Sequence, residues 1–197
     1  MLTIFPGFLG TARDFDFIRD IETPFDVLVG YSMGGRLALQ ALIDGAPFDR
    51  AVIISAGLNL EENRDERRAR DEAWARRFES DPWDEVIRDW NAQSVFGGHA
   101  LKREEREYDR GELARQLREN SPGALPPLAP RLHEIDIPLL WIAGERDRQY
   151  VDVARHAVAL LPNAELWICP NAGHRVPWEQ PRRFLERVRQ FVAPLSS

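Results

Sequence analysis

The chain is poor in the residues that most often build metal and redox centres. It has one cysteine, Cys169, and four histidines in 197 residues. A lone cysteine excludes an internal disulfide and suits a reducing compartment. Cys169 lies in the apolar run AELWICP and reads as a small buried hydrophobe rather than a nucleophile. No run is apolar and long enough to span a membrane. The opening residues, MLTIFPGF, lack a charged leader segment and a cleavage signature, so no secretory signal is read and the expected location is cytoplasmic. Basic stretches interleaved with aromatics are also missing. The net charge is −6, and Arg64, Arg67, Arg68 and Arg70 are mixed with Glu61, Glu62, Asp65 and Glu66. Neither nucleic acid nor a membrane is an expected partner. No internal repeat or low-complexity segment is present.

What remains is an ordinary globular composition, 44% hydrophobic and 29% charged, long enough for one domain with a sizeable core. Short apolar runs at Leu2 to Phe5, Phe25 to Gly30, Arg50 to Gly57, Pro138 to Gly144 and Ala164 to Pro170 read as strands buried on both faces. Helical patterns fall at 12–21, 34–43, 152–161 and 178–192, the last with Phe184, Leu185, Val188 and Phe191 inward. Strand–helix alternation predicts a mostly parallel α/β sheet of about five or six strands flanked by helices. The stretch 59–118 differs. It is rich in Arg, Glu, Asp and Trp, and Trp74, Phe78, Trp83, Val86, Ile87 and Trp90 supply one apolar face. It reads as a helical insertion closed by the proline-rich SPGALPPLAP. The expected division is a core of 1–57 and 121–197 with an insertion of 58–120.

Gly30-Tyr31-Ser32-Met33-Gly34 fits G-x-S-x-G, with a strand before and a helix after. The turn needs small neighbours, and it points the serine oxygen out of the sheet edge above a helix N-terminus. A serine hydroxyl needs a histidine as base, and the histidine needs an orienting carboxylate. Of the four histidines, His99 and His133 fall in or near loops of the insertion and its return, and His156 within a helix. His174, in PNAGHRVPWEQP, follows a late strand and is the candidate base. Asp147 in AGERDRQYV is the candidate acid, with Glu145 as the alternative; a helix N-cap is the other role open to Asp147. An oxyanion hole would use the amide of Met33 and one from FPGFLG, with Phe8 the candidate.

GYSMGGR, AGERD and NAGH…E.P resemble the α/β-hydrolase fold. FLGTARDF and the stretch Gly57 to Phe96 resemble the 2-succinyl-6-hydroxy-2,4-cyclohexadiene-1-carboxylate (SHCHC) synthases of menaquinone biosynthesis, whose helical insertion is a lid. The resemblance implies a lyase. Ser32, activated by His174 and oriented through Asp147, would take a proton, and an elimination would expel pyruvate with no cofactor or metal. It implies a small polycarboxylate substrate, held by Arg36, Arg67 and Arg118, with Tyr31 and Trp90 at further pocket positions. A solvated helix face laced with charge pairs is the other reading of Arg67.

Three departures from that family stand out. Pro6-Gly7 replaces a common His-Gly. The span from Phe8 to Gly30 lacks an expected strand and helix, and an edge left open there invites pairing with a second copy as a homodimer. Asn91 stands where an aromatic is common. Two rival functions use the same scaffold: a small esterase or C–C hydrolase with Ser32 as covalent nucleophile, and a non-catalytic binding protein.

Overall fold

The computed structural model describes residues 1–194. The chain divides into two compact units, Met1–Gly57 with Leu128–Ser197 as the first and Leu58–Pro127 as the second. The first is built on five strands: β1 (Leu2–Phe5), β2 (Val27–Tyr31), β3 (Arg50–Ile54), β4 (Leu139–Gly144) and β5 (Ala164–Cys169). They lie side by side in chain order, and every pair is parallel. The sheet is thus at the lower end of the expected strand number. β1 occupies one edge, and all four of its residues are half-buried.

The two-sided apolar runs give the sheet two cores. On one face Val27, Val29, Tyr31, Val52, Ile54, Leu140 and Ile142 pack with Phe15, Ile18, Phe184, Val188 and Phe191. That face is covered by a 3-10 segment, Ala12–Ile18, and by a C-terminal helix. The residues of opposite parity, among them Leu28, Ile53 and Trp141, are also fully buried. They face α1 (Met33–Ile43) and α5 (Arg148–Leu160).

Three local expectations change. Of the stretch 12–21, only Ala12–Ile18 is helical, as a kinked 3-10 segment with Phe15 outside helical geometry. The helix expected from Asp152 begins at Arg148. The last helix is two, α6 (Val176–Glu179) and α7 (Pro181–Val192). Pro181 is a good first helical residue but drives Gln180 out of the α region (φ −134°, ψ 57°), which breaks the run.

At the carboxyl ends of the strands the backbones touch, and glycine is what permits it. A Cβ on Gly34 would strike the carbonyl groups of Phe5 and Pro6, with the Phe5 carbonyl carbon at 2.5 Å. One on Gly144 would strike the carbonyl oxygens of Gly173 and Ala172, the latter at 2.6 Å. The end of β1 is therefore pressed against the start of α1, and the end of β4 against the loop after β5.

The second unit holds α2 (Arg64–Ser80), α3 (Trp83–Asn91) and α4 (Arg110–Glu119). Its centre is aromatic. The rings of Trp74 and Trp90 meet edge to face at 5.0 Å, Phe78 lies 5.7 Å from Trp90, and Trp83 stacks on Tyr108 at 5.4 Å. Asn91 holds the chain further on: its side-chain amide donates to the Leu101 carbonyl and accepts from the Leu101 N–H. The unit extends to Pro127 rather than ending at 120. The reason is the bonding of the proline-rich stretch: Leu60 N–H donates to Pro122 O at 3.0 Å, and Asn59 Nδ2 to Pro126 O at 2.7 Å.

Arg118 ties α4 to α2. All three of its guanidinium nitrogens donate to carboxylates, two to Glu72 and two to Glu79, at 2.6–3.3 Å. Hydrogen bonds from Arg118 and then Arg76 hold the Glu72 carboxyl at about 2, against an ordinary 4.5. Glu79 is lowered as well, through Arg118. Because the folded-state pKa values are depressed, this contribution is present above about pH 4.5 and is lost as pH falls towards 2.

Two predictions follow from these contacts. Gly144→Ala should cost about 1–3 kcal/mol in urea unfolding, because the added methyl meets backbone that cannot rotate away. Gly57→Ala, whose methyl would lie an ordinary 3.7 Å from Arg36 Cδ, should stay within about 0.5 kcal/mol of wild type. Arg118→Met should lower Tm at pH 6 and make the fall in Tm between pH 5 and pH 2 shallower. Parallel Tm–pH curves for the two proteins by circular dichroism would contradict the clamp. Added salt should shrink the difference, since these groups are partly exposed.

Candidate active site

Ser32 follows β2 directly and caps α1, with φ 52° and ψ −115°. That left-handed backbone is uncommon for a residue with a Cβ and marks local strain. Several contacts impose it. Ser32 N–H donates to the Ile54 carbonyl at 2.8 Å, and Arg36 N–H donates to Ser32 O at 3.2 Å. Gly30 has no room for a side chain: its Cβ would sit 2.7 Å from Gly35 Cα and 2.8 Å from Ala38 Cβ. Gly35 is likewise closed by Ala56 at 2.7 Å. The serine is left half-buried at the sheet's carboxyl edge.

The structure brings Ser32, His174 and Asp147 into one line. His174 Nε2 lies 3.1 Å from Ser32 Oγ, and His174 Nδ1 lies 2.7 Å from Asp147 Oδ2. The histidine is 2% exposed and the aspartate 8%. With the Nδ1 proton donated to the carboxylate, Nε2 carries the lone pair that accepts the serine hydroxyl. Tyr150 meets the imidazole edge to face at 4.5 Å, and the Tyr31 ring lies 5.7 Å away.

Asp147 does sit at the N-cap of α5, yet its side chain makes no cap hydrogen bond; the carboxylate is spent on His174. Glu145, the alternative acid, is turned to the neighbouring loop, where it accepts from Asn171 N–H at 3.0 Å. Glu145 N–H donates to Cys169 O and Arg146 N–H to Ala172 O, so the two loops are laced together. Cys169 is fully buried, and desolvation pushes its thiol up to about 11.

The two amides expected to face a developing oxyanion both come from segments next to Ser32. Met33 is the first residue of α1, where helix N–H groups have no carbonyl one turn back. Phe8 lies in a tight turn closed by Gly10 N–H to Gly7 O at 2.8 Å, with Leu9 at φ 60°. A Cβ on Gly7 would be 3.4 Å from Ser32 Cβ, which places this turn beside the serine.

The remaining candidates are placed differently. Tyr31 is buried in the sheet core, 5.0 Å from the Trp178 ring, and desolvation raises its hydroxyl well above the ordinary range. The nearby Arg175 guanidinium offsets part of that rise. Arg36 is 6% exposed on α1, its Cδ against Gly57. In the helical unit, Arg67 Nε donates to both oxygens of Asp71 at 2.9 and 3.0 Å. Trp90 belongs to the aromatic cluster, and Arg118 is the clamp described above. One carboxylate at the site carries no role read from the sequence: Glu179, on α6, bonds the backbone on both sides of His174. Its signal in the sequence is the spacing H-x-x-x-x-E in NAGHRVPWEQP. Among the described residues no helix is long and apolar enough to cross a membrane.

Comparison with known proteins places the chain. A family model described as "Alpha/beta hydrolase family" matches residues 5–187. The 2-succinyl-6-hydroxy-2,4-cyclohexadiene-1-carboxylate synthase of Salmonella arizonae is 31% identical, over 93% of this chain and 76% of its own length. The protein of the same name from Salmonella newport is 33% identical over 84% of this chain and 67% of its own. The structure of MenH from S. aureus superposes with a TM-score of 0.77 at 30% identity, covering 84% of this chain and 66% of that one. The chain belongs to the alpha/beta hydrolase family, in its group of 2-succinyl-6-hydroxy-2,4-cyclohexadiene-1-carboxylate synthases.

Proposed function

We propose that the chain is a lyase of menaquinone biosynthesis that eliminates pyruvate from a succinylated cyclohexene carboxylate. The observation that carries the reading is the Ser32–His174–Asp147 line, found in a chain whose curated relatives bear that synthase name. In this mechanism Ser32 Oγ passes its proton to His174 Nε2 and removes a proton from the substrate. Asp147 holds the imidazole tautomer and balances the imidazolium. The electron pair left by that proton moves through the ring system and breaks a ring carbon–oxygen bond; the oxygen departs with that bond's electrons as the enolate of pyruvate, which takes up a proton on carbon to give the keto acid. Negative charge that builds on a substrate oxygen is met by the Met33 amide and the Phe8 turn, where preorganised N–H donors cost no reorganisation. No bond to the serine forms, so the nucleophile elbow serves as a platform for a base.

The same three side chains would also serve an esterase or C–C hydrolase, with Ser32 attacking a carbonyl carbon. The two chemistries separate in one assay. Purified protein given the succinylated precursor should release pyruvate, read by coupled reduction with lactate dehydrogenase. Ser32→Ala, His174→Ala and Asp147→Asn should each reduce kcat about 10²–10⁴-fold. Absence of pyruvate, together with p-nitrophenyl acetate turnover that disappears in Ser32→Ala, would replace the lyase with a serine esterase. Absence of both activities, with no labelling of Ser32 by a fluorophosphonate, would favour a binding protein.

A further inference from the structure

The side chain of Glu179 has no part in the chemistry above, yet it is committed to the loop that presents the base. Its Oε2 accepts from Gly173 N–H at 2.8 Å, and its Oε1 accepts from Arg175 N–H at 3.0 Å. Those are the residues on either side of His174. Glu179 also closes a return bond, its own N–H donating to Arg175 O at 2.9 Å. One residue therefore fixes the amide of the residue before the histidine and that of the residue after it. Gly173 leaves room for this, since a Cβ there would lie 3.1 Å from Glu179 Oε1. Further back in the loop, Glu145 takes the amide of Asn171. The amides of residues 171, 173 and 175 thus all end on carboxylates.

A carboxylate suits the task because it only accepts. Two oxygens meet two N–H groups, and each bond is charge-assisted. A glutamine would offer one oxygen and turn an NH₂ group towards the second amide. The histidine needs such support because its side chain must satisfy two partners at once, at 2.7 and 3.1 Å from opposite ring nitrogens. A small rotation or shift of its backbone breaks one or both bonds.

We propose that Glu179 is a positioning residue for His174, holding its backbone so that the imidazole spans Asp147 and Ser32. The proposal rests on the catalytic reading of those three residues. An alternative role is that of a cap for the short helix α6, which would contribute to stability alone.

The test uses a fluorophosphonate probe, whose reaction with Ser32 requires the histidine but not the natural substrate. Maximal labelling rate and half-saturating probe concentration are measured for wild type, Glu179→Ala and Glu179→Gln, well below each Tm. The His174 Nδ1 proton is followed by low-field NMR and assigned by its loss in His174→Ala. Glu179→Ala should lower the maximal labelling rate on the order of 10- to 100-fold with half-saturation little changed. Glu179→Gln should fall between it and wild type, and the low-field resonance should move or broaden in both. If Glu179→Ala does not fold, Glu179→Gln carries the same comparison. A folded variant that labels at the wild-type rate with an unmoved resonance, whatever its Tm, would overturn the proposal in favour of a cap. Wild type that labels no faster than Ser32→Ala would instead overturn the catalytic reading. The resonance still decides Glu179 in that case: displaced in the variants, it supports positioning; unmoved, it refutes it.

Discussion

The backbone at Ser32 is the constraint on which the rest of the first unit turns. A non-glycine residue held at φ 52° and ψ −115° carries strain on the order of 1–3 kcal/mol. It persists only where its surroundings leave no alternative. Here the Ser32 amide is held by Ile54 on β3, and Gly30, Gly34 and Gly35 are each closed against neighbouring backbone or a small side chain. Those contacts reach β1 through Phe5 and Pro6, and the segment after β3 through Ala56. Relaxing the serine would require three strand ends and a helix to separate. The sheet core on both faces opposes that, since its residues are almost wholly buried.

The histidine is held by a different device. His174 is not among the residues with positive φ; its loop turns at Asn171 (φ 58°) and is laced to the loop after β4 by two backbone bonds and by carboxylates. Gly144 allows the two segments to meet without a side chain between them. Asp147 and His174 are therefore held by the same pair of loops, and their 2.7 Å bond is short and buried. Ser32 is held by a second set of contacts, at the end of β2 and the start of α1. The 3.1 Å distance between Ser32 and His174 is where the two meet. It is the longer of the two side-chain bonds, and the proposed proton transfer runs across it.

Much of this was legible in the sequence, for definite reasons. Two-sided apolar runs alternating with helical patterns suit parallel strands covered by helices, which gave the architecture and the position of Ser32 at a strand end. The order serine, acid, histidine is the one known for the α/β-hydrolase fold that the motifs resemble. What escaped was set by backbone meeting backbone. The early start of α5 at Arg148 was hidden because Asp147 occupies the cap position while its side chain serves His174. The reach of the helical unit to Pro127 depends on bonds from Asn59 and Leu60, which no local pattern records. Glu179 was visible as a letter in NAGH…E.P, but its bonds are to amides, which every residue has.

The arginines show a further limit of composition as a guide. The α2 segment buries only Asp71, Ala75 and Phe78, so apolar contact alone gives it little. Ion pairs supply other ties: Arg67 to Asp71, Arg77 to Asp81 and Asp89, and Arg118 to Glu72 and Glu79. A guanidinium already held by carboxylates does not gain a full ion pair when a substrate carboxylate arrives. It exchanges one carboxylate for another, and the net gain is the difference between two similar interactions. For Arg118, whose three nitrogens are all engaged, that difference is small unless Glu72 and Glu79 find other partners. Selectivity for an anionic substrate is therefore governed by how each arginine is already paired, and an arginine-rich segment can be rich in cations while offering few to a ligand.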